Sequence, residues 1–149
     1  MIEIEVDDPA WTDALAEVEP LVQSAAALAL EAAGLVSVSL TDDDTVADLN
    51  LRFRGKPGPT NVLSFPALES ARPFLGDVIL AFGVCAREAV EQRKSLSAHL
   101  QHLVVHGVLH LQGYDHLDEA EAEAMEHQER MILAKLGVSD PYASRHEPD

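Results

Sequence analysis

The chain contains a single cysteine, Cys85. A lone thiol excludes an intrachain disulfide and points to a reducing compartment. Positive charge is also scarce, with 10 Lys and Arg against 26 Asp and Glu and a net charge of -16. A phosphate backbone repels such a surface, so broad affinity for nucleic acid is excluded and only a local basic site is left to bind it. Arg52, Arg54 and Lys56 form one cluster of bases and Arg87, Arg93 and Lys94 another, while the acids gather at 42–44 and 118–129, which read as turns or solvated helix faces. Long apolar runs are missing too. The longest, 25–30, stops at Glu31, far short of the roughly 20 residues that cross a bilayer. The start alternates Ile2, Ile4 and Val6 with acids, whereas an export signal is basic and then continuously apolar. The expectation is a soluble, cytoplasmic chain with no membrane partner.

What is present suits one globular unit. An apolar fraction of 47% over 149 residues supports a single domain spanning 1–149, with about 138–149 as a C-terminal tail. Residues 2–6 and 35–40 alternate as strands with one buried face, 60–65 form a short extended segment stopped by Pro66, and the apolar run 75–82 reads as a central strand. Helices are expected at about 11–18, between Pro9 and Pro20, then at 21–33 up to Gly34, 43–53, 84–93, 97–112 with Ser97 as N-cap, and 118–136. In the last, Asp118 to Glu121 resembles a capping box, and Met125, Ile132, Leu133 and Leu136 make an apolar stripe. Two prolines and two glycines make 55–59 a loop. The expected class is α+β: a small mixed β-sheet packed with about five to six helices. The helix that carries His106 should lie against that sheet, and the loops carrying Arg54 and His116 should open on the same side.

The run 106–116 holds the chemistry. On a helix, positions i and i+4 differ by about 400°, so His106 and His110 leave one face a turn apart. Gly113, in a left-handed conformation, would end that helix and swing His116 round as a third ligand. Three imidazoles suit Zn²⁺ and leave a fourth position for water, as catalytic sites do. Ni²⁺ and Fe²⁺ fit an all-imidazole set as well. His102 lies one turn earlier on the same face and reads as packing or as an outer partner of a ligand. His99, His127 and His146 read as surface residues. The pattern H-x-x-x-H-x-x-G-x-x-H has the spacing of the metzincin proteases, H-E-x-x-H-x-x-G-x-x-H, but Gly107 stands where their general base would be. Glu69, Asp77 or Asp115 could replace that carboxylate, and the spacing selects none of them.

Several further segments carry a resemblance. Leu49-Asn50 through Arg54-Gly55-Lys56, Pro59 to Pro66, Leu75-Gly76-Asp77-Val78-Ile79 and the run from His106 to His116 resemble the YbeY family of bacterial endoribonucleases over about residues 35–137. The resemblance implies a metal-dependent, single-strand-specific RNase acting in 16S ribosomal RNA 3′-end maturation and ribosome quality control. It implies zinc on His106, His110 and His116, with Arg54, matching the family's functional arginine, and His106 as the catalytic residues. Single-stranded ribosomal RNA would be the substrate and the small ribosomal subunit, or a protein associated with it, the partner. DNA is not expected. Pro57-Gly58 replaces the charged residue that the family more often has before its Pro-Thr.

Arginine suits the task, since its guanidinium grips phosphate bidentately and stabilises growing negative charge. Without the resemblance, Arg54 is a surface residue favoured at a helix C-terminus. Lys56 is a second phosphate contact or a solvated side chain. Thr60, Asn61 and Ser64 read as caps of loop backbone. Asp115 is either a partner for a ligand imidazole or a turn residue. Two other readings stand beside the nuclease: a metallohydrolase of another class, such as a minimal peptidase, and a non-enzymatic ribosome-assembly factor with a structural metal.

Overall fold

The computed structural model describes residues 1–31 and 33–142. The elements run in the order β1 (Ile2–Val6), α1 (Ala10–Ala14), α2 (Val18–Ala29), β2 (Leu35–Thr41), α3 (Asp43–Arg54), β3 (Val62–Pro66), a 3₁₀ turn at Glu69–Ala71, β4 (Phe74–Ala81), α4 (Phe82–Glu91), α5 (Leu96–Leu111) and α6 (Glu119–Lys135). The strands form one mixed sheet in the order β1-β2-β4-β3, with β1, β2 and β4 parallel and β3 antiparallel at the edge beside β4. The α+β expectation is met: the sheet is small and mixed, and the helix with the histidine run lies against it.

The period-two pattern assigns the two faces. Val36, Val38, Leu40, Val78 and Leu80 join the main core with α2, α5 and α6, while Leu63, Phe65 and Ile79 pack with Val46 and Leu49 of α3 on the opposite face. The central strand β4 is covered on both sides, which is why its sequence is apolar without alternating. Pro66 closes β3 at the sheet edge, where its missing N–H leaves no ladder bond broken.

Several boundaries differ from the sequence expectation, among them the end of α1 at Ala14 in place of about 18, and three of them have a direct physical reason. Helix α2 begins at Val18 and runs through Pro20; a proline in the first turn removes an N–H that has no intrahelical acceptor anyway. The same helix stops at Ala29 and not near Ala33, because Gln112 at the end of α5 takes over its backbone: Gln112 Nε2 donates to Ala29 O and Gln112 Oε1 accepts from Glu31 N, both at 2.7 Å. The cap of α5 is Ser95 rather than Ser97, its hydroxyl accepting the Ala98 N–H at 3.1 Å. Of the expected tail, 143–149 lies outside the described residues, and His146 with it.

Two glycines let α5 approach the sheet. A Cβ on Gly107 would stand 2.6 Å from Val78 Cγ1 and 3.2 Å from Ser64 Oγ. Gly76, at φ +141°, lies under the end of α5, and a Cβ there would meet Phe65 O at 2.3 Å and Leu111 Cδ2 at 2.8 Å. Both the backbone conformation and the clash with a backbone oxygen oppose any side chain. Gly76→Ala is therefore expected to cost about 2–5 kcal/mol from strain and overpacking together. Urea denaturation checks this, and an unchanged midpoint contradicts it.

Candidate metal centre

His106 and His110 leave consecutive turns of α5, and the chain then reverses at Gly113, φ +101°. Gly113 N donates to His110 O at 3.1 Å and Tyr114 N to Leu109 O at 3.2 Å, so carbonyls at the helix end are satisfied while the chain folds back. This turn delivers His116. One ring nitrogen from each of His106, His110 and His116 lies within 4.8 Å of the others. Ring centroids are 4.6 Å apart for His106 and His110, 5.2 Å for His110 and His116, and 6.0 Å for His106 and His116. Small side-chain rotations can bring nitrogens so placed to the metal–nitrogen distance of about 2.0–2.1 Å. Burial lowers the pKa of His110, and the neighbouring imidazoles add to it. The ring is thus held neutral, the form that binds metal.

His106 has a partner that the sequence reading missed. Glu129 of α6 is 0% exposed, and its Oε1 lies 2.5 Å from His106 Nδ1. The other oxygen, Oε2, accepts the Tyr142 hydroxyl and lies 3.4 Å from His102 Nε2. Burial would push this carboxyl's pKa up; hydrogen bonds from His102, His106 and Tyr142, with the His106 charge, bring it down to about 2. The acidic run 118–129 is therefore not wholly a solvated face. The signal was present in the pattern: Glu129 stands four residues after Met125 and three before Ile132, on the apolar stripe itself.

His99 also corrects an expectation. It is not a surface residue but 2% exposed, with Nε2 at 2.8 Å from Glu88 Oε1. Its position three residues before His102 and seven before His106 places it on the same face of α5 as those two, where Glu88 of α4 meets it. His127 is exposed as expected. His102, beside Glu129, is an outer partner of the triad through that carboxylate.

The candidate replacements for the metzincin glutamate separate. Position 107 faces the sheet and has no room for a carboxylate. Asp77 alternates with Val78 and so points to the face opposite α5; burial raises its pKa, partly offset by Ser37. Glu69 is exposed on the 3₁₀ turn. Asp115 stays beside the triad: its Oδ1 accepts the backbone N–H of His116 at 2.8 Å and lies 3.9 Å from His116 Nδ1, which is first of all a turn contact.

Two hollows flank the triad. One, of about 220 Å³, is lined by His106, His116, Met125, Glu126, Glu129 and Tyr142 among others. The second, of about 390 Å³, is lined by Pro66, Arg72, His110, Tyr114 and Asp115 among others. Arg72 is thus the cation that shares a hollow with a triad histidine, and no spacing in the sequence pointed to it. Arg54 lines neither. It is the exposed last residue of α3, on the other face of the sheet, where Phe53 of the same helix end stacks edge-on against Phe65 at 5.7 Å. Lys56 is exposed in the following loop, and Thr60 is half-buried. Asn61 Oδ1 accepts the Val62 N–H at 2.7 Å as a loop cap, while Ser64 Oγ donates to Gly107 O at 3.4 Å and so fastens the strand to α5.

The family model for "Endoribonuclease YbeY" matches residues 3–137. The chain belongs to the YbeY endoribonuclease family. Proteins named endoribonuclease YbeY are similar to it at 48% identity in Paramagnetospirillum magneticum, covering 97% of this chain and 96% of the relative, and at 51% in Novosphingobium aromaticivorans, covering 94% and 95%. Another, from Maricaulis maris, is 49% identical over 95% of this chain and 91% of its own. A solution structure of a protein from Thermotoga maritima is similar at TM-score 0.58 and 25% identity, covering 95% of this chain and 98% of that one. Within this YbeY-family chain, no helix among the described residues is long and apolar enough to cross a membrane.

Burial depresses the pKa of both His99 and His110 below the ordinary imidazole value of 6.5. Below that value the unfolded chain takes up protons that these folded imidazoles refuse, so stability must fall as pH drops towards their folded values. Glu129, held near 2, keeps its charge throughout that range. The urea midpoint of chelator-treated protein is therefore expected to fall from pH 7.5 to pH 5.5, with a shallower fall in His99→Gln. A midpoint flat across this interval would contradict it.

Proposed function

We propose that this YbeY-family protein is a zinc-dependent, single-strand-specific endoribonuclease that matures the 3′ end of 16S ribosomal RNA and serves ribosome quality control in the cytoplasm, acting as one domain over 1–149. The observation that carries this reading is the gathering of His106, His110 and His116, one ring nitrogen of each within 4.8 Å of the others, beside two hollows. His106 Nδ1 is engaged by Glu129, so Nε2 is the nitrogen it has left for the metal. Bound there, Zn²⁺ supplies a Lewis acid and a water of lowered pKa; Ni²⁺ and Fe²⁺ suit the same donors.

The chain's own groups supply the rest. Arg72, which lines the same hollow as His110, holds a phosphate of the strand and offsets the charge that grows during cleavage. Arg54 is a catalytic residue by its motif, and its exposed guanidinium serves a phosphate further along the strand. Against a net charge of -16, so few cations bind naked RNA weakly, and the small ribosomal subunit or a protein on it brings the substrate to the site. The peptidase reading lacks its base at position 107, which Val78 closes.

Zinc-loaded protein is expected to cut a single-stranded RNA and to leave the matching duplex intact, with His110→Ala losing both metal and cleavage. Arg72→Ala and Arg54→Ala should each raise KM for RNA about tenfold, the worth of one charge-assisted hydrogen bond. RNA left whole by protein with zinc confirmed bound would sink the proposal.

A further inference from the structure

We infer that Glu129 is the positioning residue of the metal centre: its buried carboxylate receives the Nδ1–H of His106 and so presents the opposite nitrogen, in the right tautomer and ring orientation, to the metal. The inference rests on the reading of the triad as a metal site and adds a residue outside it.

Helix α6 is the most acidic of the helices, and its other glutamates are exposed or half-exposed. Glu129 alone among them is fully buried. No lysine or arginine forms an ion pair with it among the described residues; its hydrogen-bonding partners are His102, His106 and Tyr142. Burying a carboxylate forfeits much of its solvation, so a merely structural contact would be better served by an apolar residue on this stripe. The arrangement fits an orienting role. Oε1 is given to His106 alone, at 2.5 Å, and the neighbouring donors His102 and Tyr142 use Oε2. That division fixes the carboxylate plane, and the carboxylate fixes the ring. An imidazole bonded to a carboxylate through one nitrogen is a more basic donor through the other, which strengthens a metal bond. Among the described residues neither His110 nor His116 has such a buried carboxylate: the His110 ring bonds to the Tyr114 backbone instead, and Asp115 Oδ1 stands 3.9 Å from His116 Nδ1. His106 is therefore the triad imidazole whose aim a buried carboxylate sets before a metal arrives.

The test compares wild type, Glu129→Gln and Glu129→Asp by zinc competition against a chromophoric chelator, with no RNA present. Gln keeps the shape and an acceptor but loses the charge; Asp keeps the charge but loses the reach. Zinc affinity is expected to fall about 10–100-fold in each, while the metal-free urea midpoints move much less. Long-range ¹⁵N–¹H correlation of the imidazoles should show His106 protonated at Nδ1 in the metal-free wild type and a mixed tautomer in Glu129→Gln. Zinc affinity equal to wild type in both variants would overturn the inference. Should the variants fail to fold, the wild-type spectrum decides: His106 protonated at Nε2 overturns it, and at Nδ1 upholds it. Zinc affinity that depends on Glu129 in a protein that cuts no RNA would uphold this inference and defeat the nuclease proposal alone; wild type that binds no zinc defeats the metal reading and this inference together.

Discussion

Helix α5 lies against the sheet at a distance that only a hydrogen atom in place of a side chain permits. Gly107 faces Val78 of the central strand, Gly76 makes room beneath Leu111, and Ser64 fastens the edge strand to the Gly107 carbonyl. Because cores are packed at crystal-like density, this contact fixes the rotation of α5 about its axis as well as its height. The face turned from the sheet then carries His102 and His106 to Glu129 of α6, and His110 to the hollow beside the Gly113 turn. A helix free to roll would spread these rings over its surface, and the triad depends on its not rolling.

The same contact explains why the chain shares the histidine spacing of a protease family without its glutamate. Residue 107 is about 100° round the helix from His106, and here that direction is the sheet. The charged groups that the fold brings beside the triad include Arg72 from the loop before β4, Asp115 from the turn and Glu129 from α6. Each belongs to a different part of the chain. The site is thus rigid where it holds nitrogens and open at its rim, where a polymeric substrate needs room.

Buried polarity is concentrated along one line. His99 meets Glu88, His102 and His106 meet Glu129, and the rings of His99, His102 and His106 follow one another at 6.4 Å between centroids. Such a row is costly to desolvate and is tolerated because carboxylates from α4 and α6 answer it. It also ties three helices to one another through charge-assisted bonds, so the histidine triad and the packing of α4, α5 and α6 share groups.

Local pattern alone determined much of this protein. Alternation placed β1 and β2, the 3.6 period and the cap at Asp118 placed α6, Gly113 was legible as the turn after the ligand helix, and the i, i+4 spacing was enough to nominate His106 and His110. These depend on neighbours a few residues away, whose influence on backbone geometry is the same in any fold. Tertiary structure decided the rest. Glu129 is 23 residues from His106, His99 is buried by α4, Arg72 reaches a hollow formed by a turn some forty positions later, and Pro20 is absorbed into a helix rather than ending one. Whether a charged side chain meets water or a partner depends on which elements pack over it, and that choice is made by the whole core at once.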